Sequence, residues 1–309
     1  MIWGPEGEGT RGAIRLAREL GVALTGIRGS ARGGRITIDD LKAYVKSRMG
    51  TLKGGAPTGT ITGRVVDSFA LPPLPDFARF GEIEKKPVSN IRKKIAENLT
   101  IAWRTMPMVT QQDLADITEL EAFRVQTNKD NEKSGVKVTM LAFLIKACVN
   151  ALQKFPQFNS SLDGDALVYK HYWHIGFAAD TPNGLMVPVL KDADKKGILQ
   201  ISQEMSELAK KAREGKLSPA EMSGATFTIS SLGGIGGRYF TPIINAPEVA
   251  ILGVCRSTME PVWNGKEFVP RLMLPLSLTW DHRVIDGAAA ARFNAHLANI
   301  LADFRRVLL

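Results

Sequence analysis

Residues 271–287 read RLMLPLSLTWDHRVIDG, an alternation of apolar and other side chains that ends in a cluster of charges. Side chains in a β-strand repeat every two residues, so the leucines and Trp280 predict one apolar face, and His282 follows in phase with them. A buried imidazole is disfavoured in its charged form, and a neutral imidazole is what a general base requires. Position alone nevertheless favours a core histidine whose hydrogen bonds are satisfied.

A second alternating stretch, ATFTISSLGGIGG at residues 225–237, predicts another strand. Thr226, Thr228 and Ser230 form a hydroxyl face, and the glycines that follow permit a close approach by backbone or ligand. The hydroxyl face is either solvated or functional. The glycine run lacks the Gly-Lys-Ser/Thr ending of a phosphate loop, which argues against nucleotide binding. A hydroxyl donor here and a base at His282 would be two parts of acyl-transfer chemistry.

The composition is that of a globular chain: 309 residues, of which 44% are hydrophobic and 23% charged. That length suits one large domain plus a small one, or two medium domains. Cys148 and Cys255 lie in apolar runs without metal-ligand or redox spacing, which predicts buried thiols in a reducing compartment and a cytoplasmic protein. The sequence begins with no secretory signal. The apolar run 140–152 is too short to span a bilayer and contains Lys146.

The formal net charge is +9, so a nucleic-acid partner has to be considered. Part of the excess is concentrated in the first fifty residues, where nine basic residues accompany five acidic ones. Neither an aromatic stacking pattern nor zinc-ligand spacing accompanies these charges. The pattern therefore indicates an acidic protein partner at least as readily as DNA.

Three regions differ in composition. Residues 9–48 contain two short helical patterns, at 13–20 and 38–46, and so small a unit suits docking better than catalysis. Residues 49–75 are rich in Gly, Thr and Pro, which predicts a flexible linker. Residues 76–309 mix five predicted helices with seven predicted strands in irregular order, which predicts a mixed α/β layer structure.

Residues 281–287 resemble the D-H-R-x-x-D-G signature of the dihydrolipoamide acyltransferases, the core components of 2-oxo acid dehydrogenase complexes. Residues 227–233, 242–253 and 74–81 resemble further motifs of that family. Residues 9–48 resemble its peripheral subunit-binding domain, so the resemblance covers almost the whole chain in the family's domain order.

The resemblance implies a chloramphenicol-acetyltransferase-like α/β fold plus a small all-α domain. It implies homotrimers with the active site between subunits, assembled into a cubic core. It also implies docking of the decarboxylase component and of dihydrolipoyl dehydrogenase through residues 9–48. Coenzyme A is then a substrate, and the lipoyl group is expected to come from a lipoyl domain absent from this chain. Neither a membrane nor a specific nucleic acid is an expected partner, and no metal is expected.

The resemblance also implies roles for individual residues. His282 is expected to be the base and Ser230 the donor to the oxyanion, with Ser231 as its rival because adjacent strand residues face opposite ways. Asp286 is expected to organise the site, its charge held by Arg104 or Arg283, or else only to shape the turn before the next helix. The predicted cofactor contacts are Ser231, Leu232, Gly233 and Gly234.

The transferred group is expected to be acetyl. Residues 231–237 and 262–268 resemble the acetyl (pyruvate) type, whereas the succinyl type tends to have Asn-Gly-Gly after the Thr-Ile-Ser. Two alternatives remain at this point: transfer of a succinyl or branched-chain acyl group, and a non-catalytic docking or structural core subunit.

Overall fold

The computed structural model describes residues 9–20, 22–24, 27–51, 73–182 and 184–308. The chain divides into two compact units, Met1–Glu84 and Lys85–Leu309. Residues 52–72, most of the predicted linker, lie outside the described part, so the three domain boundaries stay predictions. None of the described helices is both long enough and apolar enough to cross a membrane.

The first unit is built on two helices, α1 (Arg11–Leu20) and α2 (Ile38–Thr51), which confirms the two predicted helical patterns. Asp40, in the first turn of α2, accepts hydrogen bonds from the backbone N–H and the hydroxyl of Ser30 and from the same two groups of Thr37. These donors hold the pKa of the Asp40 carboxyl well below its ordinary value. The loop between the helices is therefore fastened to α2 by one carboxylate.

The second unit contains the five predicted helices and all seven predicted strands among its described residues. The helices are α3 (Asn90–Thr105), α4 (Thr118–Asp130), α5 (Met140–Lys154), α6 (Ile198–Arg213) and α7 (Gly287–Ala302). The strands are β1 (Met108–Asp116), β2 (Ser160–Asp163), β3 (Ala166–Tyr169), β4 (Ile175–Phe177), β5 (Val189–Leu190), β6 (Phe227–Ser231), β7 (Ala250–Val254), β8 (Thr258–Trp263) and β9 (Phe268–Asp281).

Two strands were not predicted, β2 and β8. The first has only four residues and pairs with β3 in a separate hairpin. The second contains Pro261, which lies opposite Pro270 where β8 pairs with the start of β9. A proline cannot donate to a sheet ladder and is tolerated at an edge, so its presence concealed a real edge strand.

The main sheet is mixed, with the order β1-β9-β7-β6-β4-β5, and β8 extends it beside β9. Neighbours β4 and β6 are parallel, as are β6 and β7, whereas the other pairs are antiparallel. This arrangement confirms the predicted mixed α/β class. It also places β6 and β9, the two strands with the candidate site residues, on either side of β7.

Strand β9 is buried on both faces over its second half, not on the apolar face alone. It lies between β1 and β7, and the alternate polar side chains Ser277 and Thr279 are buried as fully as the leucines. The Thr279 hydroxyl is 2.7 Å from that of Thr110 on β1, which satisfies both. The central position of β9 therefore fixes where its last residues leave the sheet.

Helices α5 and α7 pack together over the core. The apolar run noted at residues 140–152 is α5, and most of its side chains are buried. Lys146 is accommodated in this helix because its ammonium donates to the carbonyls of Ala193, Asp194 and Lys196. Desolvation lowers the pKa of Lys146, and the carbonyl oxygens replace part of its lost hydration.

Candidate active site

The turn that follows β9 is held by a buried carboxylate. Asp281 is 1% exposed and accepts both the backbone N–H of Arg283 and two nitrogens of its guanidinium. The backbone N–H groups of Val284 and Ile285 both donate to the Asp281 carbonyl. Asp281 thus holds three of the next four residues, so the position of His282 is set by the backbone around it.

His282 is exposed in the single protomer, so the prediction of a buried imidazole is wrong for one chain on its own. The reason is that β9 ends at Asp281 and His282 already belongs to the turn. Its backbone N–H donates to the carbonyl of Pro107, and its ring lies 6.3 Å from that of buried Trp280. The backbone of His282 is therefore fixed, whereas one side of its imidazole is open and can be covered by another molecule.

Asp286 caps α7. Its side chain accepts a hydrogen bond of 2.7 Å from the backbone N–H of Ala289, the usual arrangement at a helix N-terminus. The expectation that Arg283 holds its charge is wrong, because that guanidinium is engaged by Asp281. The alternative expectation, that Asp286 shapes the turn before the helix, describes the observed contact. A role for Arg104 stays a prediction.

The hydroxyl face of β6 is not solvated. Thr226 and Thr228 are almost fully buried, the first donating to the carbonyl of His174 and the second to the carboxyl of Glu248 at 2.9 Å. Ser230 lies two residues further on the same face and is half-buried. The strand end thus presents one hydroxyl whose predecessors are both occupied.

A cavity of about 550 Å³ lies beside the end of β6. Ser231 reaches it, and so do two of the glycines that follow, whereas Leu232 instead continues the strand through its N–H to the carbonyl of Val254. Three of the four predicted cofactor contacts therefore line one cavity, and these are Ser231, Gly233 and Gly234. The lining also includes the apolar side chains of Met140, Leu141 and Leu144 and the charged residues Glu121 and Arg256.

Ser230 and His282 do not meet within one protomer. Ser230 pairs with Gly253 on β7, which in turn pairs with Ser277 on β9. His282 lies five residues beyond Ser277, which corresponds to roughly 16 Å along the strand, and two strand spacings of about 4.8 Å each separate the two strands. By this strand geometry, the backbone positions of Ser230 and His282 lie roughly 20 Å apart in a single chain.

Sequence reasoning overlooked Glu248. It is 1% exposed, and burial raises the pKa of its carboxyl to about 7, although hydrogen bonds from Thr228 and Asn245 and the charge of Lys170 act in the opposite direction. The available signal was an acid within the apolar run APEVAILGV at residues 246–254. A glutamate in such a run is either paired or neutral.

The site therefore combines a turn that presents His282, a strand end that presents the Ser230 hydroxyl, and an adjacent cavity. Comparison with known proteins places the domain that contains these features among acyltransferases. The family model described as 2-oxoacid dehydrogenases acyltransferase (catalytic domain) matches residues 80–309. The model of the e3 binding domain matches residues 12–42. The chain belongs to the 2-oxoacid dehydrogenase acyltransferase family.

Among curated relatives, the dihydrolipoyllysine-residue acetyltransferase component of the pyruvate dehydrogenase complex of Cupriavidus necator is 62% identical over 297 residues, which are 96% of this chain and 54% of that protein. The protein of the same name from Buchnera aphidicola of Acyrthosiphon pisum is 43% identical over 96% of this chain and 72% of its own length. The chain spans about half the length of most of the curated relatives it matches first.

Two solved structures are 58% identical to this chain, with a TM-score of 0.76 over 77% of it and all of the matched chain. One is a dihydrolipoamide acetyltransferase from Azotobacter vinelandii, studied for the role of a serine, a histidine and an asparagine in its catalytic mechanism. The other is the cubic core of a pyruvate dehydrogenase multienzyme complex.

Proposed function

We propose that this chain transfers an acetyl group between dihydrolipoamide and coenzyme A, as the core of a pyruvate dehydrogenase complex. The observation that carries the proposal is the pair of strand ends, one with His282 and one with Ser230. The catalytic serine, histidine and asparagine of the Azotobacter protein have the same spacing along their chain as Ser230, His282 and Asp286 have here. The third position is an aspartate in this chain, and as the cap of α7 it requires only a side-chain oxygen.

The reaction is a direct exchange of thiols on one acyl group. His282 takes the proton from the incoming thiol, and the thiolate attacks the carbonyl carbon of the acyl thioester. The resulting tetrahedral oxyanion accepts a hydrogen bond from the Ser230 hydroxyl. Its collapse breaks the original carbon–sulfur bond, and the departing thiolate recovers the proton from the imidazolium of His282. A positioned base contributes about 10²–10⁴ in rate and one oxyanion donor about 10²–10³.

The site is completed by a second protomer. By strand geometry, His282 and Ser230 lie roughly 20 Å apart within one chain, which is about three times the reach of one side chain. Each must therefore work with its counterpart from a neighbouring protomer. A neighbouring protomer would also cover the open side of the His282 imidazole and exclude water from it. We propose homotrimers that assemble into a cubic core, as supported by the cubic particle of the 58% identical relative.

The cavity beside Ser231 is proposed to receive the extended arm of coenzyme A or dihydrolipoamide. Its lining combines the Ser231 hydroxyl and the backbone of two glycines with several apolar side chains, which suits an arm that alternates amide and methylene groups. In this arrangement Ser231, Gly233 and Gly234 are binding residues, whereas Leu232 acts through the strand pairing that shapes the loop.

The peripheral partners follow from the first unit. Residues 12–42 match the e3 binding domain, so we propose that this unit docks dihydrolipoyl dehydrogenase and the decarboxylase component. The lipoyl group is proposed to reach the site on a lipoyl domain. Cys148 and Cys255 are free and buried, which fits the reducing cytoplasm.

The test is the acetyl exchange activity of His282→Ala and Ser230→Ala particles. We expect losses of at least a hundredfold for the histidine and at least tenfold for the serine, with His171→Ala, which alters an exposed histidine elsewhere, as the matched control. Near-normal activity of an intact His282→Ala particle would refute the mechanism. Competition among acetyl-, succinyl- and isobutyryl-coenzyme A tests the acyl group, and a succinyl preference would overturn the acetyl assignment.

A further inference from the structure

Glu248 is a buried acid with two partners on one oxygen and none on the other. Its Oε1 accepts hydrogen bonds from the Thr228 hydroxyl at 2.9 Å and from the Asn245 amide at 2.8 Å. Its Oε2 is buried and, among the described residues, has no hydrogen-bond partner. An unpartnered oxygen of this kind is tolerated far better in a neutral carboxyl than in a carboxylate.

The charges around Glu248 do not restore its ionised form. Lys170, which follows β3, is the charged side chain whose field lowers its pKa, but burial outweighs that effect and the net shift is upward to about 7. The Lys170 ammonium donates to the carbonyl of Ser160 and is itself desolvated, which lowers its own pKa. The other two contacts, from Thr228 and Asn245, come from neutral side chains.

The position of Glu248 connects it with Ser230. Thr228 and Ser230 occupy the same face of β6, two residues apart, so the hydroxyl that Glu248 holds is the nearest side chain on that face. There is little space for Thr228 to move, because a Cβ at Gly176 would lie only 2.8 Å from its Oγ1. The carboxyl therefore fixes a closely packed point of the strand one repeat before the candidate oxyanion donor.

The same segment also packs beside Ser230 itself. Gly253 pairs with Ser230, and a Cβ there would lie 2.8 Å from the ring of Phe240. Phe240 and Glu248 belong to one connection between β6 and β7 and both press on the hydroxyl side of these strands. A change of charge at Glu248 would thus act on the end of β6 from the face on which Ser230 lies.

We propose that Glu248, held as a neutral carboxylic acid, is a positioning residue for the acyl-transfer reaction and fixes the end of β6 through Thr228. The proposal rests on the function proposed for Ser230. It makes the enzyme sensitive to alkaline pH in a way that does not involve the base: when Glu248 ionises, an unpartnered carboxylate oxygen is left in the interior, and the contacts that hold Thr228 must rearrange to solvate it.

The test compares pH profiles of kcat for wild type, Glu248→Gln and Glu207→Gln in assembled particles. Glutamine has the shape of the neutral acid, keeps an oxygen for Thr228 and Asn245 and cannot ionise. We expect Glu248→Gln to retain activity near neutral pH and to lose the alkaline fall that ionisation causes, while the acid limb stays in place. Glu207→Gln alters an exposed acid on α6 and should keep the wild-type profile. An unchanged alkaline limb in Glu248→Gln would overturn the proposal.

A second variant keeps the test decisive if larger changes at Glu248 prevent folding. Thr228→Val replaces only the hydroxyl with a methyl group and should lower kcat about tenfold or more, since small displacements of a catalytic group cost up to about 10² in rate, with KM little changed. A kcat within about twofold of wild type would contradict the positioning role.

The protonation state is measured without reference to activity. Infrared difference spectra of wild type minus Glu248→Gln should contain a carboxylic-acid C=O band at about pH 6 that is replaced by a carboxylate band at about pH 9. A carboxylate band at both values would overturn the proposal. Full activity of Ser230→Ala together with the acid band would instead refute the function proposed for Ser230 and leave the state of Glu248 established.

Discussion

Mixing the two variants should restore activity, because we propose that the two halves of the site belong to different chains. His282→Ala removes the proposed base and Ser230→Ala removes the proposed oxyanion donor, but neither alters the other residue. The strand register puts these residues too far apart to serve one reaction centre within a protomer. A chain that lacks the serine can therefore supply its histidine to a neighbour that lacks only the histidine.

The size of the recovery follows from the symmetry of the assembly. In a cyclic oligomer each site takes one histidine and one serine from adjacent chains. With random mixing of equal amounts, a chain with an intact histidine stands beside a chain with an intact serine at about one quarter of the sites. The mixed particles should therefore have about a quarter of the wild-type activity per chain.

Co-expression with two different affinity tags, followed by purification on both, yields the mixed particles for a steady-state assay of acetyl exchange. The matched control is wild type co-expressed with the double variant, which should also give about one quarter, since both members of a working site must then be wild type. A site contained in one chain predicts no recovery in the first mixture and about one half in the second. That pair of results would refute the intersubunit site.

Three further predictions concern residues around the site. Asp286→Ala should destabilise the protomer by about 1 kcal/mol through loss of the α7 cap, whereas Asp286→Asn should stay near wild type in thermal unfolding. Gly253→Ala should cost about 1–3 kcal/mol in denaturant unfolding, because the new methyl group meets the ring of Phe240, and equal stability would show that the ring yields. Glu248 has a folded-state pKa of about 7 against an ordinary 4.5, so its neutral form stabilises the fold fully below pH 4.5 and loses this contribution as the pH rises through 7. The difference amounts to about 3 kcal/mol, and Glu248→Gln should remove that slope from the pH dependence of the unfolding temperature.

Much of the architecture could be predicted because each element follows a local rule. The alternation in β9 and β6 and the apolar run of α5 are properties of a few adjacent residues, and all five helices of the second unit were found in this way. Strand β8 was missed because a proline argues against a strand from sequence, whereas its place at the sheet edge, which makes the proline acceptable, is a tertiary fact.

The site was predictable as a set of residue types but not as a set of contacts. His282 is in phase with a buried row, yet it is exposed, because the row ends one residue earlier in a turn that Asp281 holds. The partner of Arg283 is that same aspartate, two residues away, and not Asp286. Glu248 has its effect on β6 through a contact between residues twenty positions apart, which periodicity does not contain.

The central position of β9 has a consequence for how the chain is made. Strand β1 has β9 as its neighbour in the sheet, and β9 is the last strand of the described chain to leave the ribosome. While the residues between β1 and β9 are synthesised, the backbone edge of β1 that pairs with β9 remains unpaired, and such an edge can pair with strands of other chains. Folding of this sheet therefore cannot be complete before β9 has been made, and a nascent chain that stops short of residue 268 is a candidate client for chaperones. Strand β9, which ends next to His282, is thus also the strand that completes the pairing of β1.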